Sequence, residues 1–292
     1  MSIHVLLNKI LFLSRGTVYK GFIFFNNEEV IDQGEEPHPE YELSELVISY
    51  DYRGFALHGF SLATSLSNYP FRGLNSFDLS TYSVDEIKSF IYAGFYELLM
   101  NGVTLPIIID EKPELVNRVA KEHDLKTIII HEEGTIKHYQ GINYIEIKDE
   151  KLYFNGEEIG DKNIFCTIKS LTEKCSILDI SGSVTFNVSS IINYLLIDGY
   201  EMNSIIKLLT RPYKLLGFDH GVIDIKSEPD ILVYDLKNSL KTVPYEKAYY
   251  SISRGYQPDQ VFIQGDLFFD HGEPLVLTPR NIEFILFGER ST

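Results

Sequence analysis

Val47-Ile48-Ser49-Tyr50-Asp51-Tyr52-Arg53-Gly54-Phe55-Ala56-Leu57-His58-Gly59-Phe60-Ser61 is the stretch whose reading decides the fold. Its entry, Leu46-Val47-Ile48, has the composition of a buried strand, and its exit, Gly59-Phe60-Ser61, turns small and polar. Short strand-like runs precede it and a long alternation of helices and strands follows. The stretch therefore reads as the first strand of an α/β barrel, entered from a small β-domain.

On the N-terminal side, residues 3–48 read as short strands joined by turns. Val18-Tyr19 and Gly21-Phe22-Ile23-Phe24-Phe25 are rich in β-branched and aromatic residues, and Asn26-Asn27-Glu28-Glu29 is a tight turn. Val30-Ile31-Asp32-Gln33-Gly34 returns as a strand, and Pro37 and Pro39 make 35–40 an extended linker.

On the C-terminal side, the Asn-, Ser- and aromatic-rich residues 67–82 read as a long loop. Ser83 and Glu86 form a capping box, and Ile87, Ile91, Phe95, Leu98 and Leu99 recur at helical spacing. Val103-Thr104-Leu105-Pro106-Ile107-Ile108-Ile109-Asp110 is a buried strand, residues 113–121 a helix, and Thr127-Ile128-Ile129-Ile130-His131 the next strand. Residues 144–154 break this rhythm as a β-hairpin, which is expected to stand outside the parallel set. Strands follow at 164–169 and 177–180, then helices at 188–197, 202–210 and 212–216.

Several of these segments resemble the metal-dependent amidohydrolases. Asn101-Gly102-Val103-Thr104 is similar to that family's helix-to-strand turn. Residues 198–217, ending Leu209-Thr210-Arg211-Pro212-Tyr213-Lys214-Leu215-Leu216-Gly217, resemble its late helix pair. Gly221-Val222-Ile223-Asp224 with Pro229-Asp230-Ile231-Leu232-Val233-Tyr234-Asp235 resembles the segment after it, although Ser227 and Pro229 replace the usual Gly and Ala. Residues 261–274 resemble its closing hairpin. The resemblance implies an incomplete TIM-like barrel over residues 50–218, since a full barrel takes about 250 residues. It also implies a composite β-sandwich built from residues 1–49 and 219–292.

The family's first barrel strand ends in His-x-His, whose imidazoles bind a catalytic metal with later His and Asp ligands. Laid over the opening stretch, Phe55 and Leu57 stand at those positions and neither can donate a lone pair. The resemblance thus implies a degenerate centre with no cofactor expected, in a protein persisting as a binding or scaffold subunit. A second reading is a hydrolase of cyclic or linear amide bonds with a relocated zinc site, its ligands drawn from His58, Asp110 and His131. Lys169 could stand where a modified lysine bridges metals, and Asp179 where the final aspartate falls, with Ser181 or Ser183 as alternatives. A third reading is a small-molecule binder using an aromatic rim of Tyr69, Phe71, Phe77 and Tyr82. Of the other histidines, His123 reads as a helix cap, and His138 could approach the barrel mouth.

Composition bounds these readings. A net charge of −16 disfavours nucleic acid, whose phosphates select basic surfaces. No apolar run has the length of a membrane span, and no signal-peptide pattern opens the sequence. Two cysteines, Cys166 and Cys175, give neither a disulfide framework nor a CxxC knuckle, and Cys166 reads as a buried hydrophobe, so a cytoplasmic location is expected. There is no G-x-S-x-G elbow and no Gly-rich phosphate loop. An open barrel edge invites strand pairing, so a homo-oligomer covering it is expected, with a small molecule as ligand.

Overall fold

The computed structural model describes residues 3–73, 78–132, 143–183, 186–236 and 244–275. In chain order β1 (Val5–Ser14), β2 (Thr17–Phe25), β3 (Val30–Gly34), β4 (Leu46–Ser49) and β5 (Gly54–His58) come first. Then follow β6 (Phe60–Thr64), α1 (Val84–Met100), β7 (Val103–Ile108), α2 (Pro113–Glu122) and β8 (Ile128–Glu132). Next are β9 (Asn143–Lys148), β10 (Lys151–Phe154), β11 (Glu157–Asp161), β12 (Phe165–Thr167) and β13 (Ile177–Asp179). The chain continues through α3 (Val188–Ile197), α4 (Met202–Leu215) and β14 (Ile231–Asp235). It closes with β15 (Gln260–Ile263), β16 (Asp266–Asp270) and β17 (Glu273–Pro274). Among the described residues no helix is long and apolar enough to cross a membrane.

These strands make two sheets. The first has nine strands in the order β17-β16-β15-β14-β5-β1-β2-β3, with β4 also paired to β1, so both ends of the chain contribute to it. A bulge at Asn8-Lys9, with Lys9 in the left-handed region, switches which side chains of β1 face one way. Val5 and Leu7 before it, and Ile10 and Phe12 after it, all join one core with Ile23, Phe25 and Phe262. The second sheet runs β11-β10-β9-β8-β7-β6-β13-β12. Its strands from β12 to β9 are parallel, and the whole is a curled half-barrel in a mixed α/β fold.

The opening stretch is three pieces rather than one barrel strand. Leu46–Ser49 is β4, residues 50–53 turn through left-handed Asp51 and Tyr52, and Gly54–His58 is a central strand of the nine-stranded sheet. The first half-barrel strand is β6, one residue further on. Phe55 and Leu57 are therefore buried in the main core cluster with Leu11, Leu13 and Leu62. Two apolar strands joined by the single residue Gly59 carry no turn signal that periodicity could detect. At Gly59 a side-chain Cβ would meet the Thr104 hydroxyl at 1.8 Å, and its N–H donates to the Asp230 carbonyl at 2.8 Å. Only glycine lets the two sheets approach so closely.

Two further readings change. β9 lies inside the parallel set, paired with β8, and only β10 is reversed, antiparallel to both β9 and β11, because strand polarity leaves no trace in residue pattern. Residues 202–215 form one helix through Pro212, whose carbonyl still accepts from Leu216 N at 2.9 Å. The capping box is present, with Ser83 N donating to Glu86 at 2.8 Å and Glu86 N to Ser83 Oγ at 3.2 Å.

Candidate functional site

Parallel strands of an α/β barrel present their chemistry at their C-terminal ends. Here β6 ends in Thr64-Ser65-Leu66, which supplies no imidazole. Instead the long loop returns Arg72 to this point, and its guanidinium ties β6 to the segment after β13. Nη1 donates to Thr64 Oγ1 at 2.8 Å and to the Ser65 carbonyl at 3.0 Å. Nε donates to the Ser183 carbonyl at 2.9 Å, and Nη2 to the Ile180 carbonyl. One face of the guanidinium lies 3.8 Å from the Phe186 ring. Arg72 is only 8% exposed, and burial draws its pKa down to about 10 against the opposing charges of Glu97 and Asp179. It stays cationic at neutral pH, with four neutral oxygens around it.

Beside this pin lies a cavity of about 470 Å³, lined by Lys169, Asp179, Ser183 and Ser190 with the apolar Ile191 and Tyr194. Two of the sequence-derived candidates, Lys169 and Asp179, thus share one wall. Asp179 Oδ1 accepts from Ser181 N at 2.8 Å, which fixes the carboxylate at the strand end. Sequence reasoning missed Arg72, although it is the one Lys or Arg between Arg53 and Lys88. A single cation in a long polar-aromatic loop was the available signal.

The three residues of the relocated-metal reading do not converge. Asp110 follows the C-terminal end of β7, and its oxygens are taken up by the loop after β6. Oδ2 accepts from Ser65 Oγ at 3.0 Å, Leu66 N at 2.8 Å and Ser67 N at 2.9 Å, while Oδ1 accepts from Lys112 N at 2.8 Å. His131 is buried within β8, its ring centroid 5.0 Å from that of Tyr144. His58 precedes β6 and so sits at the opposite, N-terminal pole of the parallel strands.

That pole holds a buried polar network. His58 Nε2 bonds Asp219 Oδ2 at 3.1 Å, and Nδ1 faces the Gly59 carbonyl at 3.0 Å. Both ring nitrogens face acceptors, an arrangement that favours the doubly protonated imidazolium. Burial opposes that charge, but the Asp219 hydrogen bond and carboxylate outweigh it and raise the His58 pKa. Asp219 in turn lies below the usual carboxylate range: burial works against it, and His58 with the N–H groups of Gly221 and Glu228 prevails. Tyr213 Oη donates to Asp230 Oδ2 at 2.6 Å and also bonds the Thr104 hydroxyl. Lys126 Nζ reaches the same Asp230 oxygen at 3.0 Å and pairs with Glu228. Its ammonium lies 4.8 Å from the Tyr213 ring. At the pole away from the strand ends, this network joins the two sheets.

The described residues of the aromatic rim pack on neighbouring rings. Tyr69 stacks on Phe186 at 5.6 Å, while Phe71 and Tyr82 pack on each other and on Phe90 of α1. Phe77 and His138 lie outside the described residues. His123 caps α2 as expected of its position, with Nε2 2.8 Å from the Tyr92 hydroxyl.

No family model matches the sequence, and no curated protein matches it by sequence. Solved structures do match. A zinc-bound adenosine deaminase from Xanthomonas campestris is 12% identical with a TM-score of 0.70, covering 96% of both chains. Atrazine chlorohydrolase from Arthrobacter aurescens, complexed with zinc, is 9% identical with a TM-score of 0.70, covering 95% of this chain and 98% of that one. E. coli guanine deaminase is 12% identical with a TM-score of 0.67, covering 92% and 99%. The likeness is one of fold. It is the fold shared with these deaminase and chlorohydrolase structures, at 12% sequence identity or less.

This likeness overturns the expectation of no cofactor, because structures that match nearly the whole chain hold zinc. The described residues do not fit that ion as a donor set. Among them no group of three or more His, Cys, Asp or Glu is placed to hold a metal. At the end of β6 the guanidinium of Arg72 shares the space with the carboxylates of Asp110 and Asp179, whose oxygens are engaged by the N–H groups of Leu66, Ser67, Lys112 and Ser181.

Proposed function

We propose that this chain is a shortened, catalytically degenerate version of the amidohydrolase fold that binds a small molecule at the C-terminal mouth of its half-barrel. The observation that carries this is Arg72, whose guanidinium spans β6 and the end of β13 where a hydrolytic centre would need open coordination and a water. The adjoining cavity of about 470 Å³ has the size of a small-ligand site and mixes charged, hydroxyl and apolar walls. Matching structures are named for adenosine, guanine and triazine, so flat nitrogen heterocycles are the first ligands to try. In this reading the sheet built from both chain ends, with Gly54–His58 at its centre, acts as a composite β-sandwich scaffold. A second copy covers an open half-barrel edge at β11 or β12, a part of the proposal that sedimentation as a monomer removes.

The test is calorimetric titration of the full chain with adenosine, guanine and atrazine, run beside product assays for deamination and dechlorination. Binding without turnover, weakened at least tenfold by Lys169→Ala or Asp179→Ala, supports the proposal. Turnover of any of the three overturns it, as does a lack of binding by all three.

A further inference from the structure

Three exposed aromatic side chains, Tyr19 at 48%, Tyr52 at 42% and Tyr245 at 42%, line one cavity of about 490 Å³. It is built against β1, β2 and the end of β3, and it shares no lining residue with the mouth cavity. Distant parts of the chain supply the three rings. Tyr19 comes from β2 and stacks on Phe12 of β1, with ring centroids 5.6 Å apart. Tyr52 comes from the turn between β4 and β5, where its backbone is left-handed at φ 60°, rare for a bulky residue. Its N–H donates to the Lys9 carbonyl at 2.5 Å, and Arg53 N donates to the Tyr50 carbonyl at 2.8 Å, so the turn is fixed. Tyr245 opens the 3-10 helix at Tyr245–Arg254. Two carboxylates join the rings. At Gly21 the strands β2 and β3 approach so closely that a Cβ would meet the Gly34 carbonyl oxygen at 1.7 Å. The chain leaving Gly34 then carries Glu35 and Glu36 along the same cavity. One ring already holds a cation, because the Lys20 ammonium lies 4.0 Å from the Tyr245 centroid.

We propose that this cavity binds a small quaternary ammonium ion, with its methylated nitrogen against the tyrosine rings and its charge balanced by Glu35 and Glu36. The face of an aromatic ring is negative and attracts a cation, and several rings around one methylated nitrogen are the usual means of recognising it. A single exposed tyrosine is ordinary surface, whereas three rings on one cavity with two carboxylates are a site for a positive charge. The lining carries two negative charges against the one of Lys20, so an incoming cation meets an attractive field. The chain's net charge of −16 adds to it. The same carboxylates repel a phosphate, so the occupant is a free ammonium compound of choline's kind and not a phosphocholine headgroup. Lys20 and the ligand compete for the Tyr245 ring, and Lys20 is exposed, so its ammonium yields to solvent when the ligand enters. This site does not rest on the reading of the mouth.

The experiment titrates the full chain with choline by calorimetry, beside phosphocholine and 3,3-dimethylbutan-1-ol, the neutral carbon isostere of choline. Choline is expected to bind saturably, and the other two at least tenfold more weakly. Tyr52→Ala and Tyr245→Ala should each weaken choline at least tenfold. The double variant Glu35→Gln with Glu36→Gln should weaken it by about threefold, the scale of exposed charges. Lys20→Met keeps the length of the side chain, removes the competing charge and should tighten choline binding. That gain tests the site even where a tyrosine variant fails to fold. A lack of choline binding overturns the proposal, as does isostere or phosphocholine binding as tight as that of choline. Affinity unchanged in both tyrosine variants overturns the site, and affinity unchanged or weakened in Lys20→Met overturns the shared ring. A mouth that binds none of the heterocycles leaves the choline result intact and removes only the mouth reading.

Discussion

His58 Nε2 stands 3.1 Å from Asp219 Oδ2 across 161 residues of sequence, and the two side chains are 2% and 5% exposed. The His58 pKa is raised above its ordinary 6.5, so its contribution to stability is complete below that pH and is lost as pH rises through the folded value. The Asp219 pKa is lowered from 3.8, so its contribution is present above that pH and is lost as pH falls through the folded value. Stability from this pair is therefore greatest between these two ordinary values. Urea unfolding across pH should show an alkaline decline that His58→Gln abolishes, and the variant should lose about 3–5 kcal/mol at pH 6, the scale for breaking one side of a buried pair. A variant whose pH profile parallels the native one would refute this assignment.

Removing the Tyr213 hydroxyl takes a donor from Asp230 and a partner from Thr104, both buried. Tyr213→Phe should cost about 1–3 kcal/mol, the range for stranding a buried polar group. Lys126→Met should cost more, because it leaves Asp230 and Glu228 facing each other. The double variant should lose clearly less than the sum, since both act on one carboxylate. Additive losses would mean that the two groups do not share Asp230.

Gly59→Ala drives a Cβ into the Thr104 hydroxyl, which Tyr213 holds in place. Overpacking of this kind costs about 1–3 kcal/mol. Thr104→Ala in the same chain should recover part of the loss by removing the atom met first. A Gly59→Ala protein as stable as the native one in thermal unfolding would show that the two sheets can separate at this point.

Arg72→Met leaves three buried acceptors and the part-buried Ser183 carbonyl without their donor, at about 1–3 kcal/mol for each that water cannot reach. Arg72→Lys should also lower the melting temperature, because one ammonium cannot span the fork that a guanidinium fills. Full retention of melting temperature by the lysine variant would reduce Arg72 to a simple buried charge.

The legible part of the fold was the part written in local chemistry. The capping box at Ser83 and the helical spacing of Ile87, Ile91 and Phe95 set α1 in the sequence, and the Ile128-Ile129-Ile130 run set β8. The boundary between β5 and β6 was not legible, because a single glycine joins two buried strands and its requirement comes from Thr104, distant in sequence. Two residues at the mouth were named in the sequence: Lys169 and Asp179 both line the cavity, Lys169 in the turn two residues past β12 rather than at a strand end. Arg72 was not, since its acceptors are mostly backbone carbonyls, which every residue possesses and no sequence displays.

The ladder between β5 and β14 pairs Gly54 with Asp235 and His58 with Ile231, antiparallel and in unbroken register. Gly59 N then bonds the Asp230 carbonyl, as the first residues of a tight turn would. Viewed this way, β5 and β14 are the arms of one hairpin, and everything from Gly59 to Asp230 occupies the place of its turn. Loop-closure entropy grows only slowly with loop length, by about 0.6 kcal/mol per doubling, so such a hairpin tolerates an insert of domain size. The half-barrel is thus held at both of its ends by the same five-residue ladder, and its mouth can be remodelled without altering the strands that frame it.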